Sequence, residues 1–337
     1  MSKSKPPLVR LSEMTPGQSG DFFAQLAERT RAARRDGKPF FTCRFRDPQR
    51  TATFMAWSDG DWFQTCEADW EQGAFYKIRG VYQEHPTYGA QIDIENIRPI
   101  IDEDKNDGFS LMDWIDHTRY DVDALFEEIW RLAETQIEDV PLRRLVMTIL
   151  AKQKAQLKQV PASQKHFFPF AGGLLEHIVS VTNTCLHLAD KYLGHYPDLQ
   201  PPINRDLVLA GAILHDIGRT IEFNEEIASP QPTVPGRLFG HLVLGRDLVR
   251  DTARELGDVN PDLVQLLEHI ILTHLAIPEW GSPKLPLIPE CLIVHHADDL
   301  DAKLEMYARC LTRDKESGDF TASDPVLKRQ LYKGRKV

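Results

Sequence analysis

His215 and Asp216 stand side by side at the end of an apolar run, Leu209-Ala210-Gly211-Ala212-Ile213-Leu214. A run of that kind belongs in a protein core, where a carboxylate is costly unless it is paired or coordinates a metal. Imidazole nitrogen beside carboxylate oxygen suits Mn²⁺, Fe²⁺, Co²⁺, Ni²⁺ or Zn²⁺ and suits Ca²⁺ poorly. Adjacent helical positions point about 100° apart, so the two side chains share one ion only near a helix end. Gly218 suits a helix terminus there. Three other places put His or Asp into apolar helical text: Gly172-Gly173-Leu174-Leu175-Glu176-His177, Gly240-His241 with His269 and His274 further on, and His295-His296-Ala297-Asp298. Ligands drawn from several helices into one bundle core are an established kind of metal site. A lone helical histidine is more simply a surface or satisfied core residue, and for His215-Asp216 the two readings stand level on spacing alone.

The elements that would have to position these residues are helical. Val122, Leu125, Phe126, Ile129, Trp130 and Ala133 follow the i, i+3, i+4 rule, and Leu142, Leu145, Val146, Ile149 and Leu150 repeat it. Further helical patterns cover 172–193, 205–217, 240–256, 261–275 and 289–310, with prolines and glycines between them. The region before them reads differently. Phe40–Phe45, Thr51–Trp57, Phe75–Tyr82 and Gln91–Ile97 are short runs rich in β-branched and aromatic residues, separated by turn-like stretches such as Asp47-Pro48 and Asp59-Gly60. Such strands predict a small barrel or sandwich. Over Gly20–Arg35 the residues Phe22, Phe23, Leu26 and Ala27 have helical spacing, although a first strand is the alternative. The expected domains are therefore an all-β domain at 1–100, an acidic linker at 101–118, an all-α domain at 119–312, and a polar tail at 313–337 that ends basic with Lys328, Arg329, Lys333, Arg335 and Lys336.

Composition narrows the class. The chain has 337 residues, enough for two domains, and a formal net charge of −10. Residues 1–100 hold 14 Lys and Arg against 13 Asp and Glu, so the negative charge lies in the rest. That excludes a general DNA-coating protein but leaves room for a local polyanion site where basic groups cluster and bound cations offset carboxylates. No apolar run reaches the roughly 18 residues of a membrane span, and the N-terminal text has no apolar h-region of a secretory signal. Five scattered cysteines with no CxxC favour reduced thiols in a cytoplasm.

The set His177, His215-Asp216 and Asp298 resembles the H…HD…D signature of the HD metal-dependent phosphohydrolases. The surrounding text, GGLLEH, LAGAILHDIGRTIEF, GHLVLG, HIILTHL, PEWGSP, HHADDLDAKLEMY and the terminal GDFT and LYKG, resembles the YhaM family of 3′→5′ exoribonucleases over about residues 8–334. That family joins an N-terminal OB-fold to a C-terminal HD domain, and GKPFFTCRFRD, FYKIRGVYQE and IDIENIRP match its OB segment in order. The resemblance implies an all-β OB-fold barrel followed by an all-α HD helical bundle, with the first barrel strand inside Gly20–Arg35. It implies that His177, His215, Asp216 and Asp298 hold a divalent metal, and that His241 and His274 hold a second. Mn²⁺ is the expected ion, with Co²⁺, Fe²⁺, Ni²⁺ and Zn²⁺ as alternatives. His269 matches a recurrent histidine of the family but lies five residues from His274, which turns it away from a shared ion.

The activity so implied is metal-assisted hydrolysis of single-stranded RNA or DNA from the 3′ end, releasing nucleoside 5′-monophosphates. Around Asp216, the groups Arg219, His241, His274 and Lys303 are the catalytic candidates, with Arg219 as a phosphate clamp. On the barrel, Arg44, Arg46, Trp57, Lys77, Arg79 and Tyr88, with Phe41 and Tyr82, are the nucleic-acid-binding candidates, since OB-folds stack bases on aromatics and follow the backbone with cations. By alternation Phe41, Cys43 and Phe45 face one way and Thr42, Arg44 and Arg46 the other, so the arginine face is the better candidate for RNA. Arg29, Arg31, Arg34, Arg35 and Lys38 form the densest basic stretch, whose simplest reading is a solvated face. Three positions depart from the family pattern: Arg219 replaces a lysine, Leu275 a second histidine, and Phe167-Phe168 a histidine pair. Two rival functions stay open: a hydrolase of nucleotides or cyclic nucleotides, and a non-catalytic single-strand-binding module. No membrane partner is expected, and because related enzymes form multimers the resemblance implies a homo-oligomer.

Overall fold

The computed structural model describes residues 7–224 and 230–334, and the chain divides into two compact units after Ile115. The terminal Arg335 and Lys336 of the expected basic tail lie outside the described residues.

The first unit is built from five strands: β1 (Ser19–Ala33), β2 (Pro39–Arg46), β3 (Thr51–Trp57), β4 (Phe75–His85) and β5 (Gly89–Pro99). Their order is β1-β2-β3-β5-β4, with β4 pairing back onto β1. The helical spacing read over Gly20–Arg35 is overturned. Phe22, Ala24 and Leu26 are buried at a period of two, and β1 is long enough to pair β4 along its first half and β2 along its second. Two partner ladders outweigh a local pattern of only four residues. On β2 the alternation holds, with Phe41, Cys43 and Phe45 buried and Arg44 and Arg46 outward. A short helix that no periodicity announced, α1 (Phe63–Ala68), lays Phe63 and Cys66 on the sheet, and Arg29 donates to the carbonyls of Cys66 and Trp70 just beyond it. None of the five cysteines is in a disulfide.

The acidic stretch expected as a linker is packed against the strands. Asp104, in a short 3₁₀ turn (Asp102–Lys105), is buried and accepts from both Arg98 nitrogens at 2.7 Å and from Lys77 Nζ at 3.1 Å. The Phe109 ring meets Phe23 at 5.3 Å and Phe75 at 5.6 Å, so the segment adds to the apolar surface of the sheet.

The second unit is helical: α2 (Val122–Gln136), α3 (Val140–Lys152), α4 (Lys154–Leu157), α5 (Gly173–His195), α6 (Arg205–Leu214), α7 (Arg219–Glu222), α8 (Val234–Leu256), α9 (Pro261–Thr273) and α10 (Pro289–Arg313). Asp121, Asp139, Asn204, Thr233 and Asn260 accept backbone N–H bonds at five of the N-termini. The apolar stripes of α2, α3, α5, α6 and α9 enclose one continuous core. α8 starts six residues before the pattern read from the sequence. Gly240, with φ +69°, breaks it into two segments, and the second starts beside His241. Gly218 is not a left-handed terminus as its place after His215-Asp216 suggested. Its φ is −61°, and it is small because a Cβ there would lie 2.0 Å from the His241 carbonyl oxygen. The tail after α10 folds back, with Thr321 and Leu331 buried and Lys333 bonded to Asp314. Among the described residues no helix is long and apolar enough to cross a membrane.

Removing one member of a buried ion pair strands the other, at about 3–5 kcal/mol, less where the partner reaches solvent as Arg98 does. Asp104→Ala is therefore expected to destabilise the first unit by about 2–4 kcal/mol. The check is the urea midpoint of the first unit, followed by tryptophan fluorescence. An unchanged midpoint would show that the acidic segment is a tether after all.

Candidate metal centre

Five helix ends or turns deliver the polar groups to one point. His215 follows the last residue of α6 and His274 the last residue of α9. In both the Nδ1–H donates to a carbonyl three residues back in the ending helix, Ala212 at 2.7 Å and Ile271 at 2.9 Å. Carbonyls in a last helical turn have no intrahelical donor, so each imidazole caps its own helix. That bond places the proton on Nδ1 and turns Nε2 inward as an acceptor. His177 enters from the second turn of α5, Asp298 from α10 and His241 from α8 just after the kink.

Their atoms converge. His177 Nε2 lies 3.1 Å from Asp298 Oδ1 and 3.3 Å from His215 Nε2. Asp216 Oδ1 lies 3.3 Å from His241 Nε2 and 3.6 Å from His274 Nε2. Two triads result, each with one ligand atom per residue inside 4.8 Å: His177, His215 and Asp216, and Asp216, His241 and His274. Asp216 belongs to both. Asp216 Oδ1 and His274 Nε2 are fully buried, and neither has a hydrogen-bond partner among the described residues. Orphaned buried acceptors are costly, and two of them aimed at one point fit a cation. Five of these residues are buried and His241 is nearly so.

The charges are ordered around that point. Burial would raise the Asp216 carboxyl, but the Arg219 guanidinium and His241 hold it well below the usual carboxylate range. Burial likewise opposes protonation of His177, yet Asp298 and Asp301, one on each ring nitrogen, lift it to about 9. For His215 burial outweighs the pull of Asp216 and Asp298 and takes it down to about 4. The site thus pairs an ionised carboxylate with imidazoles of which one carries a proton that a cation can replace.

Asp301 and Glu222 were not among the residues singled out in the sequence. Asp301 Oδ2 accepts from His177 Nδ1 at 2.8 Å, and its other oxygen accepts from Ser180 at 2.5 Å. It lies three positions after Asp298 on α10, and that i+3 spacing is the signal that could have found it. Glu222 accepts from Arg219 at 3.1 Å and lies 3.7 Å from His241 Nδ1. Arg219 Nε also donates to Asp216 Oδ2 at 2.8 Å, which leaves Asp216 Oδ1 to the histidines. His269, which its spacing set apart from His274, accepts from the Leu287 N–H at 3.0 Å. Lys303, a catalytic candidate, is half-exposed and bonds Asp299 at 2.7 Å.

On the first unit the nucleic-acid candidates separate. Arg44, Trp57 and Tyr88 line one cleft of about 680 Å³ with Phe54, Met55 and His85. Arg46 is spoken for by Gln25 at 2.8 Å. Lys77 is committed elsewhere: its ammonium, on a largely covered side chain, pairs with Asp104 and Asp107. Arg79 is held in a two-pronged bond to Asp21, at 2.6 and 2.9 Å, so its guanidinium is committed to the fold. Phe41 and Tyr82 are buried. Of the basic stretch, Arg31 pairs with Glu67, and Arg34 pairs with Asp59 and lies 3.9 Å over the Trp57 ring.

The HD domain family matches residues 174–303, the span that carries every clustered side chain. Proteins named 3′-5′ exoribonuclease YhaM are similar along nearly the whole chain. Those of Bacillus subtilis and Bacillus licheniformis are 29% identical and that of Bacillus velezensis 30% identical, each over 318 residues, 94% of this chain and 95% of the relative. The chain belongs to the YhaM family. A solved domain of replication protein A from Methanococcus maripaludis also aligns, at 16% identity over 28% of this chain and 94% of that domain, with a TM-score of 0.23.

HD domains bind divalent metals, and the cluster of this YhaM-family chain is able to hold one. Two of its departures from the family pattern fall at the site. Phe167 and Phe168 put their rings 5.1 and 5.3 Å from the His177 ring, and Phe167 also lies 5.7 Å below the Arg219 guanidinium. They give His177 an apolar wall that strengthens its pairing with Asp298 and Asp301.

Loss of an orienting carboxylate behind a ligating histidine costs about 10–100-fold in metal affinity. Asp301→Ala is expected to lose Mn²⁺ affinity by about that factor, measured by calorimetry. Because His177 is held near 9 in the metal-free protein, a cation must displace its proton. Binding near neutral pH is expected to release about one proton, and affinity should rise as pH approaches that value. Calorimetry in buffers of different ionisation enthalpy reads this directly, and no buffer dependence would contradict the assignment of His177 as a ligand.

Proposed function

We propose that this chain is a metal-dependent 3′→5′ exonuclease that releases nucleoside 5′-monophosphates from single-stranded RNA. The observation that carries the reading is the buried Asp216 carboxylate, shared by two histidine triads and left with an unpartnered oxygen. His177, His215, Asp216 and Asp298 are the proposed ligands of one ion, with His241 and His274 completing a second position around Asp216. A divalent ion held there supplies the Lewis acidity that phosphodiester hydrolysis requires; Mn²⁺ is proposed from the family resemblance, and the imidazole-rich donor set equally suits Fe²⁺, Co²⁺, Ni²⁺ or Zn²⁺.

The protein's own groups supply the rest. Arg219, fixed by Asp216 and Glu222, keeps donor capacity on a fork suited to a phosphate. His215 and His274, held by their helix-end carbonyls, need no reorientation to ligate. Glu222 beside His241 and Asp301 beside His177 set the proton positions of those rings.

The first unit is proposed as the strand-holding domain. The five strands in the order β1-β2-β3-β5-β4, with β4 returning to β1, agree with an OB-fold, and the proposed domains are this unit up to Ile115 and the HD unit after it. Arg44, Trp57 and Tyr88 in one cleft combine a cation with exposed aromatic faces, the pairing by which single strands are held. The relatives' names, 3′-5′ exoribonuclease, agree with this reading.

The decisive assay uses RNA with a free or a blocked 3′ end, with and without Mn²⁺, beside a cyclic dinucleotide and a deoxynucleoside triphosphate. Hydrolysis is expected only of the free-ended RNA with Mn²⁺, and Asp216→Ala should fall to the metal-free background. Hydrolysis of the small nucleotides alone would overturn the reading. Tyr88→Ala is expected to weaken RNA binding by the equivalent of about 1–3 kcal/mol for one stacked base. Arg44→Ala should flatten the slope of log affinity against log salt by about 0.7. Both are read by fluorescence anisotropy, and unchanged values in both variants would remove the cleft from the interface.

A further inference from the structure

Lys303 and Trp280 are left over once the metal centre is assembled, and they lie together. The Lys303 ammonium is 5.7 Å from the centre of the Trp280 ring. That ring ends a 3₁₀ turn, Pro278–Trp280, and Trp280 is half-exposed. A single exposed aromatic needs no explanation; what sets this one apart is the cation beside its face.

Three relations fix this pair beside the proposed active site. The turn starts four residues after His274, at the end of α9, and the intervening chain is bonded back by the Ala276 N–H to the Thr273 carbonyl at 2.9 Å. Gly281, which follows the ring with φ +108°, lies against Leu242, the neighbour of His241. Lys303 is tethered to Asp299, the neighbour of Asp298. The segment that carries Trp280 thus follows α9 directly and approaches α8 at Leu242, while Lys303 brings α10 to the ring, each next in the chain or close to a proposed ligand. Phe239, two residues before His241, is a further exposed aromatic on the α8 side.

We propose that Trp280 and Lys303 form a nucleobase subsite of the HD domain, in which the base of a nucleotide flanking the scissile phosphate stacks on the indole and Lys303 holds the adjoining phosphate. This rests on the nuclease reading above. A flat π-face with a cation at its side is the recognition unit for a nucleotide: the face takes any base, and the cation takes the charge. The pairing with Asp299 keeps the ammonium in place until a phosphate competes for it. A base-tolerant platform of this kind suits an enzyme that must accept every residue of a strand in turn.

The test uses dinucleotides that carry a base on both sides of the phosphate and analogues with one abasic sugar, all with Mn²⁺. For the wild-type chain, loss of the stacked base is expected to lower kcat/KM by about 5–150-fold, the range for one base on one aromatic. Trp280→Ala should show the same loss on the full dinucleotide and no further loss on the abasic one, with most of the change in KM. Trp280→Phe should recover most of it, and Lys303→Met should raise KM with full and abasic substrates alike. A Trp280→Ala variant that loses equally on both substrates, or that phenylalanine does not rescue, overturns the proposal. Adenosine 5′-monophosphate should quench tryptophan fluorescence in the wild-type chain but not in Trp280→Phe. This readout needs no turnover. Quenching without cleavage would sink the nuclease reading and keep the subsite, while cleavage without quenching would do the opposite.

Discussion

Two carboxylates, Asp216 and Asp298, sit almost without exposure inside an apolar bundle of helices, and the architecture of the second unit follows from making that tolerable. An ionised carboxylate in such a place needs opposite charge and donors at close range. The bundle supplies Arg219 and His241 to one and His177 to the other, and still leaves one oxygen of Asp216 without a donor. That residue of unmet demand, aimed at a buried imidazole nitrogen equally without a partner, distinguishes a site built around a cation from a closed ion-pair network. It also accounts for the tight contact at Gly218, where α8 must come close enough to bring His241 to Asp216.

Helix termini do the positioning. A histidine in the middle of a helix has no free backbone acceptor beside it, whereas one just past the end finds an unbonded carbonyl within reach. His215 and His274 both use this device, so their orientation depends on where α6 and α9 stop and not on neighbouring side chains. The N-terminal caps Asn204 and Asn260 set the other ends of those two helices. His177 is different. It lies within α5, both of its nitrogens face carboxylates, and it is the ring whose proton a metal would have to displace.

The helical half was the more legible in the sequence. His215-Asp216 at the end of an apolar run raised a metal ligand to even standing with a satisfied core pair, and the family resemblance added His177 and Asp298 to the set. What the text could not carry was distance. Lys77, Arg79 and Arg98 look alike as strand cations, yet each is tied to an aspartate, Asp104 or Asp21, whose nearness depends on how the chain returns on the sheet. The same limit hid the role of 101–115, where acidity suggested solvent and the partners lay on β4 and β5. β1 failed for another reason: its half-buried Phe23 beside buried Phe22 imitates a helical stripe, and only the two flanking strands decide the matter. Asp301 was visible at i+3 from Asp298, but an acidic cluster on a helix reads first as a solvated face.

The distribution of charge bears on how a polyanion could be held at all. The region after residue 100 carries the whole net negative charge of the chain, and on the first unit Arg29, Arg31, Lys77, Arg79 and Arg98 are already bonded to carbonyls or carboxylates. Cations committed to internal partners release few counterions to a bound polyanion, so a salt-sensitive term would fall to exposed cations such as Arg44. On the proposed reading, the other contributions would be stacking on exposed aromatic faces and coordination at the metal centre, both short in range and indifferent to the order of bases. An enzyme relying on those two terms would grip a strand where it is being cut and let the rest slide, and in a chain of net charge −10 that is the arrangement electrostatics allows.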